Sequence, residues 1–259
     1  MNYPIIDIHC HPFSEPGHNS GLYHYSALKN PDDFKNGLKK AGIETFCGSV
    51  IVSNPDADMA FLKKCNREAM ELKKIYGDRY IPGAHIHPEY GAESRREIRE
   101  LYEIGVRLIG ELVPYMHGYD RYMQGEGAEI FELAQELGMV VNIHPTDADD
   151  MENLISSFPR MNVIIAHPGE KPDLKINIDL MKKYQNAHLD ISGTGLFRDG
   201  LLRYTIDAVG SERILFATDY PICNPAMQVG GVMYENLTER EREDIFFRNA
   251  RRLLELDDL

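Results

Sequence analysis

Short apolar segments alternate with longer amphipathic segments along the whole chain. The apolar segments are typical of buried strands, and the amphipathic segments carry apolar residues at helical spacing. The predicted strands lie at residues 3–12, 43–53, 80–86, 106–113, 139–144, 161–167, 187–191 and 213–219. The predicted helices lie at residues 30–40, 56–76, 92–104, 128–137, from 147 onwards, 173–184, 199–209 and 238–256. Eight strand–helix alternations without a linker-like break predict an α/β fold, a (β/α)8 TIM barrel that forms a single domain over residues 1–259.

The length of the chain agrees with such a barrel, and its net charge limits the classes of partner that it can bind. The chain has 259 residues, and a barrel of this kind takes about 250. A net charge of −13 argues against nucleic acid and against an anionic membrane surface as partners. The N-terminus lacks a basic segment followed by an apolar one, and no apolar run approaches the length of a membrane helix. We therefore expect a cytoplasmic protein with a small-molecule substrate, and a homodimer if the chain associates.

Several predicted strands end in residues that commonly bind metal ions. In a barrel of this type the carboxyl ends of the strands converge on one face, where active sites lie. Neutral imidazoles and ionised carboxylates suit Zn²⁺ foremost and also Mn²⁺, Fe²⁺ or Co²⁺. Six such groups exceed the ligands of one catalytic zinc ion, so we expect one or two ions or additional acid–base roles. The candidate metal ligands are His9, His11, Glu111, His144, His167 and Asp219.

Other patterns leave alternatives open. His85 and His87 repeat the His-x-His spacing, but a turn follows at once, so this pair ranks below His9 and His11. Glu111 has a competing explanation as a buried salt bridge to an arginine. The long loop at 13–30 is either a lid over the site or a plain surface loop, and the aromatic-rich loop at 114–127 suits recognition of a planar or anionic molecule. Four further residues that follow strand ends are candidates for contacting an anionic group: Arg121, Lys171, Arg198 and Tyr220.

Four motifs together resemble those of the amidohydrolase superfamily. They are Asp-x-His-x-His at 7–11, Ala-His-Pro-Gly at 166–169, Phe-Ala-Thr-Asp-Tyr-Pro at 216–221 and Asn-Ala-Arg-Arg-Leu at 249–253. The chain is most similar to the amidohydrolase-2 branch, which includes lactonases and aminocarboxymuconate-semialdehyde-type decarboxylases. The resemblance covers essentially the whole chain. It specifies the superfamily more closely than it specifies the reaction.

The resemblance implies a role for each candidate. His9 and His11 would bind the more buried metal, with His144 as a further ligand. Asp219 would bind metal and take a proton from an attacking water. Glu111 stands where two-metal members have a bridging carboxylate, whereas many amidohydrolase-2 proteins resemble Gly-x-Lys there, and this departure counts against a one-metal decarboxylase. With Glu111 present, His167 would be a ligand of a second metal; otherwise it would be the acid–base group beside the substrate.

The sequence favours metal-dependent hydrolysis of a small amide, lactone or ester. In this reading a metal-activated water attacks the carbonyl carbon, and Asp219 and His167 are the catalytic proton carriers. The alternatives are nonoxidative metal-dependent decarboxylation of an unsaturated carboxylic acid and a TatD-like phosphodiesterase. A barrel kept only for binding or scaffolding is disfavoured, because every expected strand end carries its ligand.

Overall fold

Eight parallel strands form one sheet in the order β1 to β8, which confirms the predicted TIM barrel. The computed structural model describes residues 3–15, 28–195 and 198–256. Most of the loop at 13–30, for which a lid and a plain surface loop were the two alternatives, therefore lies outside the described residues. The strands are β1 (Ile5–Asp7), β2 (Ile43–Gly48), β3 (Tyr80–Ala84), β4 (Leu108–Leu112), β5 (Val140–Ile143), β6 (Val163–Ile165), β7 (Ala187–Asp190) and β8 (Ile214–Leu215).

Helices follow the strands and surround the sheet. They are α1 (Pro31–Lys40), α2 (Met59–Tyr76), α3 (Gly91–Glu103), α4 (Pro114–His117), α5 (Gly127–Glu136), α6 (Ala148–Ser157), α7 (Lys171–Lys183), α8 (Leu201–Val209), α9 (Pro225–Tyr234), α10 (Glu239–Glu243) and α11 (Asn249–Leu254). The sequence pattern did not predict α4 or α9. The predicted last helix is divided by a π-helical turn at Asp244–Arg248, and it begins with the expected capping box of Thr238 and Glu241.

The sheet closes where the first and last strands continue past their regular hydrogen bonds. The backbone N–H of Ile8 donates to Phe216 O at 3.1 Å, and the N–H of Asp219 donates to His9 O at 2.8 Å. The N–H of His11 donates to Tyr220 O at 2.8 Å. Closure therefore brings the histidines that follow β1 beside the aspartate that follows β8, although these residues are far apart in the sequence.

Apolar side chains fill the inside of the barrel. One buried cluster combines side chains of six strands with Ala250 and Leu254 of α11. Because β1 and β5 lie on opposite sides of the barrel, side chains such as Ile6 and Val140 can join one cluster only through its interior. This packing supports the strand ends from below. Among the residues that the structure describes, no helix combines the length and the apolar character needed to cross a membrane.

A buried histidine on β7 ties the stability of the barrel to pH. His188 is 4% exposed, and its Nε2 lies 3.1 Å from Asn162 Oδ1. Burial, together with the positive charges of Arg252 and Arg213, lowers the pKa of His188 to about 3. The unfolded chain binds a proton at this histidine below about pH 6.5, whereas the folded chain does not. The folded state therefore loses stability as pH falls from about 6.5 towards 3.

We predict that His188→Gln weakens this acid sensitivity. The free energy of unfolding of the variant should fall less steeply than that of the wild type between pH 6.5 and 4, by up to about 1.4 kcal/mol per pH unit, because one proton fewer is taken up on unfolding. Urea denaturation at several pH values measures this slope. Equal slopes for the two proteins would show that His188 is protonated in the folded state.

Candidate metal centre

The ends of β1, β4 and β8 bring two imidazoles and two carboxylates together. The Nε2 atoms of His9 and His11 lie 3.1 Å apart. Glu111 Oε2 lies 3.2 Å from His9 Nε2 and 3.4 Å from His11 Nε2. Asp219 Oδ1 lies 3.8 Å and 3.3 Å from the same two nitrogen atoms. Four potential ligand atoms therefore surround one point at the barrel mouth.

A second group of ligand atoms lies at the other oxygen of Glu111. His144 Nδ1 is 2.9 Å from Glu111 Oε1, and His167 Nε2 is 3.3 Å from it. The structure thus brings all six predicted site residues into one cluster, with the Glu111 carboxylate between its two halves. The competing explanation for Glu111 fails, since the described ion-pair partners of this carboxylate are imidazoles rather than an arginine.

Hydrogen bonds behind the cluster fix which nitrogen of each ring faces it. His9 Nδ1 donates to Asp190 Oδ2 at 2.9 Å, and His11 Nδ1 donates to the backbone oxygen of Ser49 at 3.1 Å. The Ser192 hydroxyl donates to Asp190 Oδ1 at 2.5 Å, so its oxygen accepts from His167 Nδ1 at 3.0 Å. Each of these three rings therefore carries its proton on Nδ1 and directs the Nε2 lone pair into the cluster.

This donor set fits a divalent metal ion. Two imidazole lone pairs that face each other at 3.1 Å repel unless a proton or a cation lies between them. The surrounding carboxylate oxygens add negative charge in a site where His9, His11 and Glu111 are buried. Neutral imidazoles and carboxylates are ligands of Zn²⁺ and of Mn²⁺ or Fe²⁺. The geometric groups that can hold an ion are His9, His11 and Asp219, and His9, Glu111 and His167.

The pKa values of the cluster show the same demand for positive charge. Burial would lower the pKa of His11, but hydrogen bonds to Asp219 and Glu111 outweigh burial and raise it to about 9. Burial likewise opposes a charged His9, yet Glu111 and Asp190 raise its pKa well above the ordinary value. Burial would raise the pKa of Glu111, but the charge of His9 and the other imidazoles hold it well below its usual range. Protons and a metal cation compete for these lone pairs.

Two site residues have left-handed backbone conformations. His167 has φ 63° and Asp219 has φ 60°, a region that residues other than glycine rarely adopt. Gly193 lies behind His167, and a Cβ at this glycine would come within 2.5 Å of His167 Nδ1. Such conformations persist only where the surrounding structure enforces them. Here the chain turns sharply after a strand, which directs each side chain into the cluster.

Asp190 and Ser192 belong to the site, although sequence reasoning gave them no role. Asp190 is fully buried at the end of β7, and its carboxylate also accepts from the His167 backbone N–H at 3.1 Å. Burial raises the pKa of Asp190, but the charge of His9 and the bonds around it lower that pKa to about 2. The signal was present, because a buried acid at a strand end is the same pattern that drew attention to Glu111.

The second His-x-His pair lies outside the cluster. His85 Nε2 donates to Val50 O at 2.8 Å, and His87 Nε2 donates to His117 O at 3.0 Å. The pKa of His85 is lowered to about 4, chiefly by burial. These rings are neutral side chains that pack beside the site, as their lower rank predicted.

Three of the residues expected to contact an anion have protein partners. Arg121 pairs with Asp147 at 3.2 Å, and Arg198 pairs with Glu170 at 3.0 Å. The Tyr220 ring packs against Phe34, with ring centroids 4.8 Å apart.

A family model described as amidohydrolase, of the amidohydrolase-2 type, matches residues 6–256. The chain therefore belongs to the amidohydrolase-2 family of enzymes.

A curated relative is gamma-resorcylate decarboxylase from a Rhizobium species, with 31% identity over 121 residues. That match covers 40% of this chain and 37% of the relative, so the chain corresponds to well under half of that protein's length.

Solved structures show the same fold at low sequence identity. A 2,6-dihydroxybenzoate decarboxylase from Rhizobium has a TM-score of 0.79 and 18% identity, and the match covers 98% of this chain and 99% of that one. A dihydroxybenzoic acid decarboxylase from a Polaromonas species, solved with bound manganese and the inhibitor 2-nitroresorcinol, has a TM-score of 0.75 and 19% identity. That match covers 100% of this chain and 98% of that one.

The expectation of amide, lactone or ester hydrolysis is wrong. The curated relative and these structural neighbours are decarboxylases, the class that the sequence left as an alternative. The error has a chemical reason. A cluster of imidazoles and carboxylates indicates a metal site, but the same ligand types serve hydrolysis and decarboxylation alike.

We predict that Asp190→Asn weakens metal binding by about 10- to 100-fold, because Asp190 orients His9 and, through Ser192, His167. Competition with a chromophoric chelator measures the affinity of the folded protein for Mn²⁺ and Zn²⁺. Asp179→Asn is the matched control, because Asp179 is an exposed residue of α7. Equal affinities for the two variants would remove Asp190 from the support of the site.

Proposed function

We propose that this enzyme catalyses metal-dependent, nonoxidative decarboxylation of an unsaturated carboxylic acid, with a hydroxybenzoate as the expected substrate class. The observation that carries the proposal is a buried His–Glu–Asp cluster of metal-ligand type, in a family member whose relatives are decarboxylases. The proposal treats residues 1–259 as a single catalytic domain. A homodimer stays a prediction.

His9, His11, Asp219 and Glu111 would hold the first metal ion. His144 and His167, with the other oxygen of Glu111, would hold a second ion when one binds. The Polaromonas neighbour contains manganese, which makes Mn²⁺ the first ion to test, and zinc remains a prediction. A bound divalent ion would supply positive charge that attracts the substrate carboxylate and orients the acid in the site.

When only the first ion is bound, so that no metal occupies its Nε2, His167 is the residue that we assign to proton transfer. Nonoxidative decarboxylation breaks the bond to the carboxyl carbon, leaves the electron pair on the ring carbon and replaces carbon dioxide with a proton. Burial opposes protonation of His167, but the hydrogen bond and charge of Glu111 outweigh it and raise the pKa. His167 Nδ1 is held by Ser192, so a proton at Nε2 is available to the cluster side. Asp219 is the second candidate proton carrier, at its carboxylate.

Glu111 needs its own explanation in a decarboxylase, because a carboxylate at this position is typical of two-metal members of the superfamily. A carboxylate at the position of Glu111 counts, by resemblance, against a one-metal decarboxylase, and its two oxygen atoms lie within 3.4 Å of four imidazole nitrogens. Glu111 still suits decarboxylation, because it keeps the neighbouring imidazoles charged or metal-bound. The proposal accommodates one or two ions and requires only the first.

We predict that the Mn²⁺-loaded wild type releases carbon dioxide from 2,6-dihydroxybenzoate or a related hydroxybenzoate, with the decarboxylated phenol as the other product. His167→Gln should lower kcat by about 100-fold or more, because a positioned proton donor contributes about 10²- to 10⁴-fold. Liquid chromatography of the phenol and a coupled assay of carbon dioxide measure both products.

The control variant is His188→Gln, which changes a buried histidine of the barrel that lies outside the metal cluster. It should retain the wild-type kcat at neutral pH. A wild type that converts no hydroxybenzoate under any metal would contradict the proposed function. A fully active His167→Gln would instead contradict the role of His167 alone.

A further inference from the structure

Tyr115 is an exposed aromatic residue on a segment that is otherwise buried. It belongs to the four-residue helix α4, which follows β4 directly. Pro114, Met116 and His117 of the same helix are buried, whereas Tyr115 is 63% exposed. The helix therefore directs one large ring outwards while its other side chains hold it in place.

The position of α4 is fixed by its surroundings. Met116 packs with Val113 and Ile51 in a small buried cluster. Gly118, which follows the last residue of the helix, has φ 76°, and a Cβ there would come within 1.9 Å of Pro55 O. Only glycine allows this close approach of the two backbones. The buried side chain of Met116 and the close approach of Gly118 to Pro55 thus hold the backbone that carries Tyr115.

The ring of Tyr115 lies at the mouth of the metal centre. Its centroid is 5.4 Å from that of His144, with the ring planes at 72°. Burial, followed by the negative charges of Glu111 and Asp219, raises the pKa of the Tyr115 phenol. The phenol stays protonated at neutral pH, so the ring presents an uncharged surface beside a charged site.

We propose that Tyr115 is a substrate-binding residue whose exposed ring packs against the planar, conjugated skeleton of the acid while the substrate carboxylate enters the His9–Glu111–Asp219 cluster. This inference rests on the proposed function for the identity of the acid. It adds a selectivity to that function: the site prefers planar acids to saturated acids of similar size.

The two aromatic rings of Tyr115 and His144 favour a planar ligand. Aromatic rings attract one another in offset or edge-to-face arrangements, beyond the contribution of buried area. Tyr115 already makes an edge-to-face contact with His144, so a planar ligand could contact both rings at once. Such contacts are worth about a 2- to 12-fold change in affinity. A saturated ring has no π-system and gains only the contact area.

The test compares binding of two acids to the Mn²⁺-loaded protein by isothermal titration calorimetry. The planar probe is benzoate, which lacks the hydroxyl groups of the proposed substrate class, and the saturated probe is cyclohexanecarboxylate, which has the same number of carbon atoms. Tyr115→Ala should raise the dissociation constant of the planar acid by about three- to ten-fold and change that of the saturated acid by less than about two-fold. Tyr115→Phe, which keeps the ring, should match the wild type for both acids.

Tyr204→Ala is the matched control, because Tyr204 is 55% exposed on α8. It should leave both dissociation constants unchanged. The inference is overturned if the wild type does not prefer the planar acid, if Tyr115→Ala keeps that preference, or if Tyr115→Phe loses it. A wild type that binds the planar acid through Tyr115 but decarboxylates no hydroxybenzoate would refute the proposed function and leave this inference standing.

Discussion

The site depends on one buried carboxylate that must be balanced by positive charge. Glu111 is 3% exposed, and four imidazoles, those of His9, His11, His144 and His167, lie within 3.4 Å of its oxygen atoms. An isolated buried carboxylate is costly, so the fold must supply protons or a metal cation at this point. The requirement explains why residues from distant parts of the chain converge here.

The barrel meets this requirement with hydrogen bonds that hold three of these four imidazoles. Asp190 and Ser192 at the end of β7 hold the outer nitrogens of His9 and His167, and the carbonyl of Ser49 holds that of His11. These hydrogen bonds set the ring tautomers before any ligand arrives, so little reorganisation is needed when a cation binds. Apolar side chains inside the barrel support the strand ends from below.

The sequence predicted the fold and the members of the cluster because both follow from local patterns. Apolar strands at regular intervals define the barrel, and ligand residues at strand ends define its functional face. The supporting residues Asp190 and Ser192 were missed, because they act by orienting His9 and His167 and the sequence does not show which side chains they contact. The pattern of apolar residues also does not predict the left-handed backbone conformations of His167 and Asp219. The reaction was predicted wrongly because ligand type does not encode the bond that breaks.

The central claim is that this cluster of side chains binds a divalent cation directly. Anomalous diffraction at the manganese edge, from crystals of the Mn²⁺-loaded protein, tests it most directly. The account predicts a strong peak in contact with His9, His11 and Asp219, and a second peak beside His144 and His167 wherever a second ion binds, on the opposite oxygen of Glu111. An ordered, Mn²⁺-saturated protein with no peak in contact with His9, His11 and Asp219 would contradict it.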